Sequence, residues 1–261
     1  MFEEIRQLKS LVLRATGLLF ILACFFFVCG PSEMRVFNLP IPLPAPTERT
    51  FVVHGYEIMR ETLLPSDVTL VAMDPLSTLN THILLAFLFA FVCAFPILLY
   101  MVVGYLAPAL YAREKYTLLT VLIPASFLFF TGCWFAYHFI IPPTFSALYA
   151  YTKATGTIAL FSLDAFVGTV VGFMLVTGLL FLLPVLMALL TYLRVVPGRI
   201  WRDNWRYALL IFIIFSAIIT PDGSGVSMVL LSLPLCGLYA LGTVLTSLKP
   251  VPGPAIHPVQ D

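Results

Sequence analysis

Six apolar runs punctuate this chain, at Leu11–Val28, His82–Val103, Tyr116–Ile141, Ala165–Leu193, Tyr207–Ile219 and Val226–Leu248. Four of them reach or exceed the roughly 20 residues that a helix needs to cross a bilayer, and the first is marginal at about 18. The fifth, at about 13 residues, rises about 20 Å against a hydrocarbon core of about 30 Å. By length alone it fits a re-entrant segment. It counts as a span only where the bilayer thins locally or neighbouring helices shield it. The polar segment from Gly30 to Thr81 is long and carries Pro31, Pro40, Pro42, Pro44, Pro46, Pro65 and Pro75, which argues for extended backbone rather than a packed domain. Within it, Tyr56–Leu64 has apolar residues at helical spacing and predicts a short helix lying over the outer membrane face.

Loop charge sets the orientation. With six spans, one side collects Arg6, Lys9, Arg14, Arg113, Lys115, Arg194, Arg199, Arg202, Arg206 and Lys249, ten of the 14 basic residues. The other side holds Arg35, Arg49, Arg60 and Lys153, three of them in the long loop, where charge counts weakly. Both termini are therefore expected in the cytoplasm. A re-entrant fifth run would move the C-terminus outside without improving this balance. The expected fold is an all-α membrane protein of six transmembrane helices, N-in and C-in. Residues 1–249 are expected to form one membrane domain with the long outer loop at 30–81, and residues 250–261 a disordered cytoplasmic tail rich in proline. The first run has a charged front, but Phe25–Cys29 lacks a small-x-small cleavage site, so no cleaved signal peptide is expected.

Composition agrees: 61% of residues are hydrophobic and 10% charged, with a mean hydropathy of +1.01, against roughly 25% charged in soluble domains. Five cysteines and four histidines are scattered without metal-ligand spacing, so neither a metal nor another cofactor is expected. Pro96, Pro124, Pro184 and Pro234 fall within spans, where each removes a backbone donor and bends its helix. They are either the ordinary prolines of membrane helices or the bends of a concave bundle. No Asp, Glu, Lys or Arg lies in the middle of a run. Ion-coupled carriers keep such residues near mid-membrane, and intramembrane proteases need paired aspartates or a nucleophile with its base. A small-molecule permease is thereby disfavoured, no enzyme is expected, and a membrane-embedded binding scaffold survives.

The most informative stretch is Pro96–Glu114, PILLYMVVGYLAPALYARE. An apolar helix runs into an aromatic, Pro-bearing loop and then a lone carboxylate between Arg113 and Lys115. A single carboxylate at a membrane surface suits capture of a guanidinium, which it binds bidentately. It equally suits simple balance of its two basic neighbours, and both readings stand on the residues alone.

The sequence Tyr105-Leu106-Ala107-Pro108-Ala109-Leu110-Tyr111 followed by Glu114 resembles a signature of the TatC family, receptor subunits of the twin-arginine protein translocase. Pro96–Tyr100 precedes it in the same order. Phe129–Tyr137 with Pro142 is similar to the family's third span and its exit, and Thr220-Pro221-Asp222 to its turn after the fifth span. Asp222 reads first as a turn and helix-start residue. The resemblance covers essentially the whole chain. It implies a concave bundle in the cell (cytoplasmic or inner) membrane that binds twin-arginine signal peptides of folded cargo. It also implies single-span partners of the TatA/TatB type, an oligomer surrounded by membrane lipids, and transport driven by the proton motive force. No nucleotide-binding motif occurs, and no nucleic acid partner is expected. Glu114 is then expected to face one guanidinium, with Tyr105 and Tyr111 stacking on it beside Pro108.

Three departures mark a divergent member. The family's N-terminal Glu-Leu-Arg pattern becomes Gln7-Leu8-Lys9, with Leu11 where a later arginine falls, so half of a carboxylate pair is missing. Glu3 and Glu4 precede Gln7 by one helical turn and are candidates to replace it. Leu182 replaces a polar residue of the fourth span, and Pro75–Leu79 replaces a Pro-x-Glu-x-Phe motif. These departures support an alternative, a diverged scaffold that no longer reads twin-arginine signals.

Overall fold

The computed structural model describes residues 2–36, 39–46, 50–64, 68–106, 114–154, 156, 160–193, 195–219 and 225–248; for 2–5, 31–36, 39–46, 106, 114–120 and 226 only the backbone is described. The chain forms two compact units, Met1–Gly178 and Leu179–Asp261. Among the described residues five helical segments are long and apolar enough to cross a membrane: Arg6–Val28, Ser77–Tyr105, Val121–Ala154, Leu163–Tyr192 and Ser227–Ser247. A sixth apolar helix, Trp205–Ile219, is shorter. It is two residues longer than the sequence run suggested.

The first unit begins with α1 (Phe2–Val28), which leads into an antiparallel hairpin, β1 (Cys29–Val36) and β2 (Leu39–Pro46). The expected extended backbone is present, and it is paired, so the fold is not purely helical. Proline is tolerated because Pro40, Pro42, Pro44 and Pro46 recur every second residue. All their missing donors then fall on one edge of β2, leaving the intervening residues to pair with β1. Next comes α2 (Phe51–Leu63), the predicted surface helix, which starts five residues earlier than its apolar periodicity indicated. The Thr50 hydroxyl sets that start by accepting from the Val53 N–H at 3.4 Å. Val52, Met59 and Leu63 share its buried face.

A three-residue strand β3 (Thr69–Val71) precedes α3 (Ser77–Leu106), which contains Pro96. Then α4 (Glu114–Phe135), with Pro124 inside, runs through a π-helical turn at Ala136–Ile140 into α5 (Ile141–Ala154). The sequence pattern ended this span near Ile141, with Pro142 at its exit; the helix instead continues to Ala154, for nearly four turns. Pro142 and Pro143 cannot donate to the carbonyls four residues back, and their rings crowd those carbonyls. The wider π turn immediately before them, with the Ile141 N–H bonded to the Ala136 carbonyl, lets the chain pass both prolines without breaking.

β4 (Leu160–Ser162) pairs with β3 in parallel and leads directly into α6 (Leu163–Leu180). The two loops that lead into α3 and α6 are thus tied to each other. There the Thr81 hydroxyl donates to the Asp164 carboxylate at 3.2 Å. Between α3 and α4, Phe95 stacks on Phe129 at 3.6 Å with 9° between planes, and Phe91 tilts against both. α6 packs on the same cluster through Gly178.

The second unit comprises α7 (Leu183–Tyr192), α8 (Gly198–Asp203), α9 (Trp205–Ile219) and α10 (Val226–Leu248). Pro184 lies in the first turn of α7, where a missing donor costs nothing. Leu231, Leu235 and Tyr239 form the buried face of α10, which packs against α7 and α9. At Gly242 the backbone comes close enough that a Cβ would lie 3.2 Å from the Pro184 Cα. Trp201 of α8 donates its indole N–H to Thr191 at 3.0 Å, and its carbonyl accepts from the Tyr239 hydroxyl. α9 buries Phe212 and Ser216 and exposes Leu210, Ile211, Ile214 and Ile218, as a lipid-facing helix does.

Candidate functional site

α1 packs most extensively against α3, and the two run antiparallel: Phe26 near the end of α1 touches Phe89 in the first half of α3, with centroids 5.9 Å apart. At the opposite end, the beginning of α1 and the end of α3 part around a cleft of about 650 Å³. Arg6, Gln7, Ser10, Leu11 and Arg14 line it from α1, positions that recur at helical spacing on one face. Tyr100, Met101, Gly104 and Tyr105 line it from α3 at the same spacing. Gly104 keeps the cleft open: an added Cβ there meets nothing within 4 Å.

The cleft unites Gln7 and Tyr105, two residues that the sequence nominated from distant segments. Lys9 is exposed on α1 and is not part of the lining. Glu3 and Glu4 belong to the first turn of α1, so Glu3 is one helical turn before Gln7. Glu114 is the first residue of α4. Pro108, Tyr111, Pro221, Asp222 and the tail 250–261 lie outside the described residues. Pro96 is inside α3, Tyr137 in the π turn and Pro142 in α5. Among the described residues, no three His, Cys, Asp or Glu approach closely enough to hold a metal.

Arg6 and Arg14 were missed as cleft residues. The spacing Arg6, Ser10, Arg14 forms a polar stripe readable in the sequence, but its facing surface on α3 emerges only from the antiparallel pairing. The electrostatic result is unexpected. The described lining contributes two guanidinium groups and no carboxylate.

Stacked apolar helices, loops tied at one end and a polar cleft at the other define a multi-pass α-helical membrane protein. Residues 3–234 match the model of the family described as Sec-independent protein translocase protein (TatC), and the chain belongs to that family. It is 33% identical over 237 residues to the Sec-independent protein translocase protein TatC of Cenarchaeum symbiosum, covering 91% of this chain and 88% of that one. The TatC of Deinococcus radiodurans is 32% identical over 203 residues, 76% of this chain and 75% of that protein. The TatC of Escherichia coli K12 is 29% identical over 179 residues, 69% of each. The fold matches a crystal structure of the twin arginine translocase receptor TatC with a TM-score of 0.74 at 23% identity, over 94% of this chain and 98% of that one. The chain is accordingly a multi-pass membrane protein of protein transport.

Proposed function

We propose that this chain is the receptor of a twin-arginine translocase. It binds signal peptides at the end of the membrane where α1 begins and α3 ends, and it moves folded cargo with single-span partners and the proton motive force. The observation that carries this reading is the cleft between α1 and α3, in which Gln7 and Tyr105 meet. The helix α4 starts at Glu114, eight residues after α3 ends at Leu106, which supports a carboxylate near that cleft. Loop charge supports both termini in the cytoplasm of an inner membrane. Six spans follow when Trp205–Ile219, about 22 Å long at 1.5 Å per residue, is counted as the fifth.

The peptide's two arginines are held by Glu114 and by Glu3 or Glu4, with Tyr105 against one guanidinium plane. A second reading, a scaffold that has lost twin-arginine recognition, is favoured by Gln7 and by the two arginines in the cleft, which repel a cationic peptide.

Photo-crosslinking from position 104 separates them, because a probe there projects into open space. A receptor crosslinks a twin-arginine precursor and not its twin-lysine counterpart, and loses that crosslink in the double variant E3A/E4A. Equal labelling of both precursors sinks the receptor reading, and an unaffected E3A/E4A variant sinks the role given to Glu3 and Glu4.

A further inference from the structure

We infer that the cleft between α1 and α3 holds the phosphodiester headgroup of an anionic phospholipid, clasped between Arg6 and Arg14. Two independent features lead there. The first is charge: the described lining carries two arginines, Gln7, Ser10 and two tyrosines, and no acid. Among the described residues neither arginine has an ion-pair partner.

The second is depth. Arg6 begins the apolar segment Arg6–Val28, and Arg14 lies eight residues into it, about 12 Å further along the helix axis. From Arg14 to the far end at Val28 is 14 residues, about 21 Å, against a hydrocarbon thickness of about 30 Å. With Val28 at one boundary, Arg14 therefore stands below the level of the opposite headgroups. An arginine at such a depth draws polar groups to itself, by snorkelling or by pulling a headgroup and water inward. Here it opens onto a cleft lined with donors.

A phosphodiester fits these donors. Guanidinium groups bind phosphate oxygens bidentately, and Arg6 at the rim and Arg14 within can approach one headgroup from two sides. The acyl chains remain in the bilayer, beside exposed α1 residues such as Leu13, Phe20 and Ile21. A free inorganic phosphate shares the headgroup chemistry but lacks this apolar attachment.

The test is native mass spectrometry of the full chain released from mixed phosphatidylglycerol–phosphatidylcholine nanodiscs. Near a membrane surface each arginine contributes roughly fivefold in affinity for anionic lipid, so the pair predicts a preference of about 30-fold for retained phosphatidylglycerol. R6Q/R14Q should abolish that preference, while R199Q/R202Q, removing equal charge outside the cleft, should keep it. G104L, which fills the cleft and leaves both arginines in place, should abolish it as well. Retention of the preference by R6Q/R14Q or by G104L overturns the proposal. So does displacement of the lipid by excess inorganic phosphate, which would make the site one for the free anion. None of these outcomes depends on a signal peptide, so the lipid site and the receptor reading stand or fall separately.

Discussion

At Gly178 α6 lies tight against Cys133 and Phe129 of α4, and its replacement by alanine should destabilise the first unit through one identifiable overlap. A Cβ built there comes 2.7 Å from Cys133 Sγ and 2.8 Å from Phe129 Cε2, roughly 1 Å inside the usual carbon contact distance of about 3.5–4.0 Å. Phe129 cannot retreat: it is fully buried, stacked on Phe95 at 3.6 Å and bounded by Phe91 and Phe130. Overpacking a tight core by one methyl costs about 1–3 kcal/mol. Opposing this, alanine in a helix is favoured over glycine by up to about 1 kcal/mol.

The glycine at position 172 of the same helix separates the two terms, because a Cβ there meets nothing within 4 Å. G172A should therefore be neutral or slightly stabilising, and G178A less stable than G172A by about 1–3 kcal/mol. The comparison is made by SDS-titration unfolding in mixed micelles, followed by far-ultraviolet circular dichroism. C133A introduced into G178A should recover part of the loss, since it removes the nearest atom but leaves the Phe129 contact and forfeits the Cys133 Sγ bond to the Met174 carbonyl at 3.4 Å. Indistinguishable stabilities for G178A and G172A would show that the two helices do not approach as closely as described.

Two further outcomes follow from single side chains. Q7E places a carboxylate on the exposed cleft wall, where a surface ion pair is worth about 0.2–1 kcal/mol; fluorescence-anisotropy titration should show about 1.5- to fivefold tighter binding of a twin-arginine peptide and no gain for its twin-lysine form, and an equal gain for both would refute a guanidinium-specific role. Burial pushes the Tyr56 phenol above its ordinary 10.0, partly opposed by Arg60, so the unfolded chain releases this proton first as pH rises. The stability linked to Tyr56 is therefore complete below pH 10.0 and declines as pH climbs through the raised folded value, and Y56F should unfold with a shallower alkaline dependence than the parent chain.

The helices were legible in the sequence because lipid demands long apolar runs, and α2 because its buried residues recur at helical spacing. What escaped was geometry fixed by partners. Thr50 lies outside the apolar period of α2, so capping carried the helix start beyond what periodicity could mark. Pro142 and Pro143 look like a helix exit when only their lost donors are counted; a π turn that accommodates both belongs to the conformation. The pairing of β3 with β4 joins segments about 90 residues apart, and three-residue strands carry no local signature of their own. At the candidate site, Gln7 and Tyr105 were nominated separately by their motifs. Arg6 and Arg14 were read only as orienting charge, because nothing local marks the α3 face they meet.

The distribution of carboxylates carries a consequence for energy coupling. Across the five described spans the one carboxylate is Asp164, the second residue of its segment, while buried polar groups such as Thr144 and Thr177 are hydroxyls. A proton path through this chain alone would need ionisable groups at intervals along the span, and the carboxylates do not supply them. If transport draws on the proton motive force, as proposed, the titrating carboxylates belong to the loops or to partner subunits, and Asp164 serves as a hydrogen-bond acceptor for Thr81. D164N keeps an acceptor oxygen and removes the ionisation, so it should sustain transport of a twin-arginine precursor into membrane vesicles. T81V removes the donor instead and should weaken the fold by about 1–2 kcal/mol, toward the lower part of the range for hydrogen bonds to charged groups because Asp164 is only half-buried. Loss of transport in D164N with stability intact would give Asp164 a role in proton transfer and overturn the structural assignment.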